Sequence, residues 1–356
     1  MRYLIFIVLL FSFSGCSSKV NNEPEVKNII LMIGDGMGVS QVYAAYTVNK
    51  GHLNIEKVQY IGFSKTYSAD RYITDSGAGA TAISAGIKTN NFSVGVDENG
   101  VPVKTILESA EENGLSTGLV ATSSITHATP AAFIAHQISR EENLLIAGDF
   151  IESGIDIFIG GGKEFFNSKL KDNSAEEALS KKGYSIVFSL DDIDPDDPKN
   201  IGCLAADDAL PSIKEGRGNF LPEATSLALK KLAHNPKGFF LMVEGSQIDW
   251  GGHDNDIDYV VSETIDFDKS IGVALKFADK NPGTLVIITA DHETGGLAIS
   301  DGNIEKGEVV TEFTTDEHTG VMVPVYAYGT GSQAFAGIYE NTDIYHKMMS
   351  LLRLAE

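Results

Sequence analysis

Six apolar runs bounded by glycine or polar residues punctuate the chain: Asn28 to Ile33, Thr117 to Thr122, Ile155 to Ile159, Phe239 to Val243, Thr284 to Thr289 and Val323 to Tyr328. Their continuous apolar character predicts strands buried on both faces. Between them, helical periodicity predicts amphipathic helices at Val39 to Val48, Lys104 to Glu112, Ala175 to Lys181, Pro222 to Leu232, Asp256 to Phe277 and Asp343 to Leu352. Strand alternating with helix implies an α/β fold, a three-layer sandwich around a central, mostly parallel sheet. The acidic stretch Leu190 to Lys199 reads as a solvated loop. No internal repeat interrupts the pattern, so the simplest partition is a single domain over residues 27–354. The interval between His253 and His318 is filled by one helix and one strand, which leaves no room for a large inserted domain.

The first fifteen residues break this pattern. One Arg2, the apolar run Leu4 to Phe11 and small residues ending at Gly15 predict a signal peptide over residues 1–15, too short to span a membrane. Phe13-Ser14-Gly15-Cys16 resembles a bacterial lipobox, which implies a lipidated Cys16 and a tether over residues 16–26; the alternative is an ordinary signal sequence with a stray cysteine. Either way the expectation is export, to the periplasm or as an outer-membrane-tethered lipoprotein, with the membrane touched only through Cys16. Cys203 is the other cysteine of two, so the mature chain has no intrachain disulfide. The formal net charge of -22 argues against nucleic-acid partners, because no broad basic surface exists to meet a phosphate backbone. An anionic substrate would have to be drawn by something local, such as bound cations.

Unusual polar residues cluster just after the apolar runs, where parallel strands of open α/β sheets present their carboxyl ends to ligands. Asp35 follows the first run within Gly34-Asp35-Gly36-Met37-Gly38; it reads equally as a helix cap or turn and as a metal carboxylate reached closely between glycines. Glu244 and Asp249 follow the fourth run. Asp249 and His253, four residues apart, could meet one ion from a helical turn or from a glycine-rich loop. Asp291 and His292 are adjacent, so both reach one site only if the strand breaks there, and Glu293-Thr294-Gly295-Gly296 supplies a break. His318 alone reads as a surface histidine or a ligand. Ser76, after Asp75, opens a helix of small residues; the pair reads as a simple cap or as a nucleophile at a helix end that favours phosphate. Thr129 precedes Pro130 and could cap a helix. A straight helix would carry Arg140 ~15 Å from it, at about 1.5 Å per residue, so Arg140 stays open between a surface ion pair and a phosphate fork.

Taken in order, these pieces resemble the alkaline phosphatase family, from about Lys27 to Tyr328. The resemblance implies a hydrolase of small phosphate monoesters that releases inorganic phosphate, with two zinc ions and one magnesium ion. It implies Ser76 as nucleophile within the Asp75-Ser76 pair and Arg140 as phosphate clamp. Asp249, His253 and His318 match the first zinc site; Asp291 and His292, with Asp35 shared, match the second; Asp35, Thr129 and Glu244 match the magnesium site. It also implies a homodimer. His127 and Trp250 depart from the enterobacterial form, which has Asp and Lys there. An imidazole near the third site leaves its ion open between magnesium and zinc. The rival readings are a phosphodiesterase or sulfatase-like hydrolase of the same superfamily, and a non-catalytic exported lipoprotein that binds metal or phosphate.

Overall fold

In the computed structural model residues 25–170 and 172–354 are described, so the expected signal peptide, Cys16 and most of the tether lie outside the described residues. The chain begins with β1 (Asn28–Gly34), α1 (Val39–Val48), β2 (Tyr60–Lys65), α2 (Ser76–Ala85), α3 (Ile106–Glu112) and β3 (Ser116–Ser124). Next come α4 (Ala128–Ala131), α5 (Asn143–Asp149), β4 (Ile157–Gly161), α6 (Lys163–Asn167), a small pair β5 (Lys169–Leu170) and β6 (Asn173–Ser174), and α7 (Ala175–Lys181). β7 (Ser185–Val187), β8 (Ile201–Leu204), α8 (Phe220–Leu232), β9 (Phe239–Gly245), α9 (Gln247–His253) and α10 (Ile257–Lys280) follow. The last stretch holds β10 (Thr284–Thr289), β11 (Glu293–Thr294), β12 (Ala298–Asn303), β13 (Glu308–Glu312), β14 (His318–Thr319), β15 (Val323–Gly329), β16 (Gly337–Glu340) and α11 (Thr342–Leu352).

β1 shows why the sheet is central. Ile29, Leu31 and Ile33 enter one apolar layer with Ile83, Ile106 and Met348, while Ile30 and Met32 enter the other with Ala44, Leu229 and Ile271. Alternate side chains thus feed both faces, and helices must cover each. The ten-stranded sheet has the order β16-β2-β15-β10-β1-β9-β3-β4-β8-β7. The seven strands from β10 to β7 run parallel, β15 is antiparallel to β10 and β2, and β16 is parallel to β2. This is the expected three-layer α/β architecture. In the register Ile33 aligns with both Thr289 and Glu244, so β1, β9 and β10 end at one level. Among the described residues no helix is long and apolar enough to cross a membrane.

The interval from His253 to His318 differs from expectation. Besides α10 and β10 it holds the β12–β13 hairpin and the short strands β11 and β14. The hairpin escapes a search for buried runs because its residues are almost all exposed or half-buried. β2 escapes for the same reason, since Tyr60 and Ile61 at its start face outward.

Candidate metal and phosphate site

The carboxyl ends of β1, β3, β9 and β10 deliver the polar residues to one place. Asp35 leaves β1 with its N–H donating to the Gly245 carbonyl (3.2 Å), which ties it to the end of β9. Gly36, at φ 71°, then turns the chain: a Cβ there would lie 2.9 Å from the Asp249 Cα, so the approach requires glycine. After β9 the chain enters α9, and its helical turn places Asp249 and His253 on one face, His253 Nε2 lying 3.3 Å from Asp249 Oδ2. β10 ends at Thr289, and beyond this break His292 Nε2 lies 3.2 Å from Asp291 Oδ2 and 3.4 Å from Asp35 Oδ1. β11 pairs antiparallel with β14, and the register Thr294 to His318 brings His318 Nε2 to 3.5 Å from Asp249 Oδ1.

Ser76 is the first residue of α2, and the cap is Asp75, whose Oδ1 accepts from the Ala78 N–H (3.0 Å). With capping done by its neighbour, the Ser76 hydroxyl faces His292 Nε2 at 3.2 Å. The small residues of α2 matter here: a Cβ on Gly79 would stand 3.1 Å from the Asp291 Cβ. Arg140 reaches the site because α4 stops at Ala131. The chain then doubles back, and the Arg140 N–H donates to the Phe92 carbonyl (2.6 Å). Its guanidinium donates from Nη1 to Asp75 Oδ2 (3.0 Å) and from Nη2 to His127 Nε2 (3.2 Å). Thr129 Oγ1 donates to Asp35 Oδ2 at the long distance of 3.5 Å. Trp250, on α9, stands edge-on to the His127 ring at 6.1 Å.

The sequence-derived candidates are therefore brought together rather than scattered, and they form three groups. One ligand atom each from Asp249, His253 and His318 lie within 4.8 Å of one another, as do those of Asp35, Asp249 and His292, and those of Asp35, His127 and Glu244. Asp291 adjoins the second group through its contact with His292. His127, expected near the third site rather than among its ligands, falls within the third group. Asp75 stays outside all three, engaged by Arg140 and the backbone of α2.

The chemistry of these atoms suits cations. Nδ1 of His253, His318 and His292 faces the Asp316 carbonyl (2.6 Å), the Thr74 carbonyl (2.9 Å) and Thr294 Oγ1 (3.2 Å). Those oxygens fix each ring with Nδ1 protonated and the Nε2 lone pair turned toward the carboxylates. His253 and His318 then oppose two Nε2 atoms at 3.1 Å, an arrangement that calls for a positive charge between or beside them. Asp35 Oδ1, Asp291 Oδ2 and Glu244 Oε1 are buried without a hydrogen-bond partner, which is costly unless a cation meets them.

The titration of the cation-free groups says the same. Burial, then the neighbouring Asp291, Asp249 and Glu244, pushes Asp35 well above the usual carboxylate range. Burial raises Glu244 to about 7, against hydrogen bonds from Ser246, Thr129 and Ser123. Asp291 rises to about 6 through burial and the charge of Asp249. Asp249 goes the other way: burial would raise it, but the hydrogen bond from His253 and the neighbouring imidazoles hold it down. His253 is lifted to about 9, mainly by its hydrogen bond to Asp249. His127 falls to about 3 and His292 well below its usual value, chiefly through burial, so both rings stay neutral. A field that draws a proton onto His253 also draws a metal ion, and such binding releases the proton.

The alkaline phosphatase family model matches residues 26–312 and 303–354, nearly all of the described chain. The chain belongs to the alkaline phosphatase family. Alkaline phosphatase 3 of Bacillus subtilis is 38% identical, with 96% of this chain and 92% of that protein covered. The alkaline phosphatase of Escherichia coli K12 is 31% identical, over 94% of this chain and 87% of that one. Among solved structures, alkaline phosphatase from the Antarctic bacterium TAB5 superposes with a TM-score of 0.88 at 42% identity, covering 93% of this chain and 99% of that chain. A histidine-to-aspartate variant of that enzyme, with magnesium bound in its M3 site, superposes equally well. Alkaline phosphatases are phosphoric monoester hydrolases, and this chain is one. The family binds divalent metal, which the three groups above are suited to hold.

Thr294 is a site residue that the sequence reading passes over. Its hydroxyl donates to Asp249 Oδ1 (2.5 Å), leaving its lone pairs to the Nδ1–H of His292. One hydroxyl thus orients residues of two metal groups. Thr294→Val keeps the shape and removes both bonds; the expected result is a loss of metal affinity of about 10- to 100-fold, read by titrating activity against a zinc buffer. Affinity unchanged within about threefold would show that the rings and carboxylate orient without it.

Proposed function

We propose that this alkaline phosphatase works through a phosphoseryl intermediate on Ser76. Two zinc ions would be held by Asp249, His253 and His318 and by Asp35, Asp291 and His292, and a third ion by Asp35, Thr129 and Glu244. The observation that carries the reading is the position of Ser76: a hydroxyl at a helix N-terminus, 3.2 Å from His292 and directly after Asp75, which holds Arg140. When bound, paired divalent ions supply the positive charge that favours a serine alkoxide and a departing oxyanion.

The chain's own residues supply the rest. The Ser76 oxygen attacks phosphorus and the ester P–O bond breaks, leaving an alcohol and phosphoserine. The N-terminus of α2 presents free N–H groups and the positive end of its dipole to the phosphoryl oxygens. Arg140, steadied by Asp75 through Nη1, turns its remaining donors toward the nonbridging oxygens. Water then attacks phosphorus, the P–O bond to Ser76 breaks, and inorganic phosphate departs. His127 lies close enough to the third group to favour zinc over magnesium there, as imidazole suits zinc.

The reading is tested by comparing p-nitrophenyl phosphate with bis(p-nitrophenyl) phosphate and by acid-quenching turnover. Preferred hydrolysis of the monoester, with a phosphate-sized mass increase on the Ser76 peptide, is expected. Preference for the diester would favour the phosphodiesterase rival, and binding without turnover the non-catalytic one. Metal analysis of the same sample decides the zinc-to-magnesium ratio. The reading extends to a single catalytic domain over residues 27–354, exported and tethered through Cys16, and working as a homodimer. Its basis is the N-terminal sequence pattern and the family.

Trp250 bears on product release. An indole offers a single N–H donor and no charge where the enterobacterial form has lysine. Phosphate inhibition is therefore expected to be tighter in Trp250→Lys than in the native enzyme, by roughly tenfold for one added charge-assisted contact. Equal or weaker inhibition of the variant, measured as Ki for phosphate, would contradict this.

A further inference from the structure

The mouth of the site is unlike its floor. A cavity of about 620 Å³ opens beside Asp75, Arg140 and His318, and its walls include Arg71, Tyr72 and Phe92. Phe92 is 48% exposed and sits at φ 72°, a conformation unfavourable for a bulky residue. It is held there by the site itself: its N–H donates to Asp75 Oδ2 (3.0 Å) and its carbonyl accepts from the Arg140 N–H (2.6 Å). Tyr72 is 79% exposed, and its ring lies against Gly320, where a Cβ would come within 2.5 Å of it. Gly320 is two residues beyond His318. Two aromatic rings are thus displayed at the entrance, each fixed by a segment that also carries site residues.

Direction of attack gives them a role. Ser76 stands on the side of the Asp35–Asp249–His292 group, so an in-line displacement sends the leaving oxygen toward the Asp249–His253–His318 group. His318 lines the cavity, and the carbon skeleton attached to that oxygen enters it. The volume lies within the range of small-molecule sites. Resting on the proposed serine attack, we propose that Phe92 and Tyr72 are specificity-determining residues that favour esters whose leaving group carries a flat aromatic ring system, such as a nucleobase. Such a group stacks on the rings, with the Arg71 guanidinium, 5.8 Å above the centre of Phe92, closing the shelf.

Adenosine 5′-monophosphate and ribose 5-phosphate test this as a pair, because both release a primary alkoxide and differ in the base. The native enzyme is expected to favour the nucleotide in kcat/KM by roughly tenfold or more, as base stacking on an aromatic side chain gives. Phe92→Gly, which removes the ring and suits φ 72°, should bring that ratio below about threefold, and Tyr72→Ala should lower it independently. A native ratio near one, or a ratio that neither substitution moves, overturns the proposal. Damage to the Asp75 and Arg140 contacts would lower both rates together and leave the ratio at its native value, which also counts against it. Failure of the native enzyme on both sugars and on p-nitrophenyl phosphate would strike the phosphatase reading instead.

Discussion

Ser76→Ala should lower turnover of p-nitrophenyl phosphate by roughly ten-thousandfold while leaving the protein folded, since removing a covalent nucleophile from an assembled site costs on that order. The small effect on stability follows from the local structure. Asp75 caps α2, and Ser76 is the first of ten buried residues in a helix made mostly of Ala and Gly, where alanine is the better helix former. What remains in the variant is Arg140, the helix end and the cations, which still bind phosphate but offer no oxygen positioned to attack. A melting temperature within about 2 °C of the native value is expected from the loss of one small polar contact. Turnover above about a tenth of native, with the fold intact, would show that another group carries the attack.

The positions of the acids and histidines were legible in the sequence because the physics that places them is local. A buried run ends, polar residues follow, and parallel strands bring those ends to one edge; Asp35, Glu244, Asp291 and His292 all obey this. The Asp249–His253 spacing left two geometries open, and the structure shows the helical turn. Arg140 was ambiguous because sequence periodicity does not show that α4 ends after one turn and that the chain doubles back onto Phe92. Thr294 was invisible for a different reason. A threonine in a glycine-rich break is ordinary, and its importance depends on the β11–β14 pairing, which joins residues more than twenty positions apart. The edge strand β16, its neighbour β2 and the β12–β13 hairpin were missed because exposed residues break the apolar pattern that marks a central strand.

Removing the cations should abolish activity and lower the melting temperature by on the order of 10 °C, as expected when ions bound about a thousandfold above their dissociation constants are withdrawn from the folded state. The reason is the concentration of buried acid. Asp35, Glu244, Asp249 and Asp291 are all nearly or fully buried, and three of their oxygens lack a hydrogen-bond partner. Stripped protein must hold protons instead, which gives its stability a slope with pH. Glu244, raised to about 7, and His253, raised to about 9, both bind protons more tightly folded than unfolded. Their contributions are complete below the unfolded values and are lost as pH rises through the folded ones. His127 and His292, with lowered values, are neutral in both states above about pH 6.5 and add no slope there. The chelated protein should therefore lose stability steadily between about pH 6.5 and 9. The metal-loaded protein, whose ligands have already released those protons, should vary less over the same window. Calorimetry of both forms checks the difference. Parallel pH profiles for the chelated and loaded protein would mean that these acids and histidines do not enclose the metal.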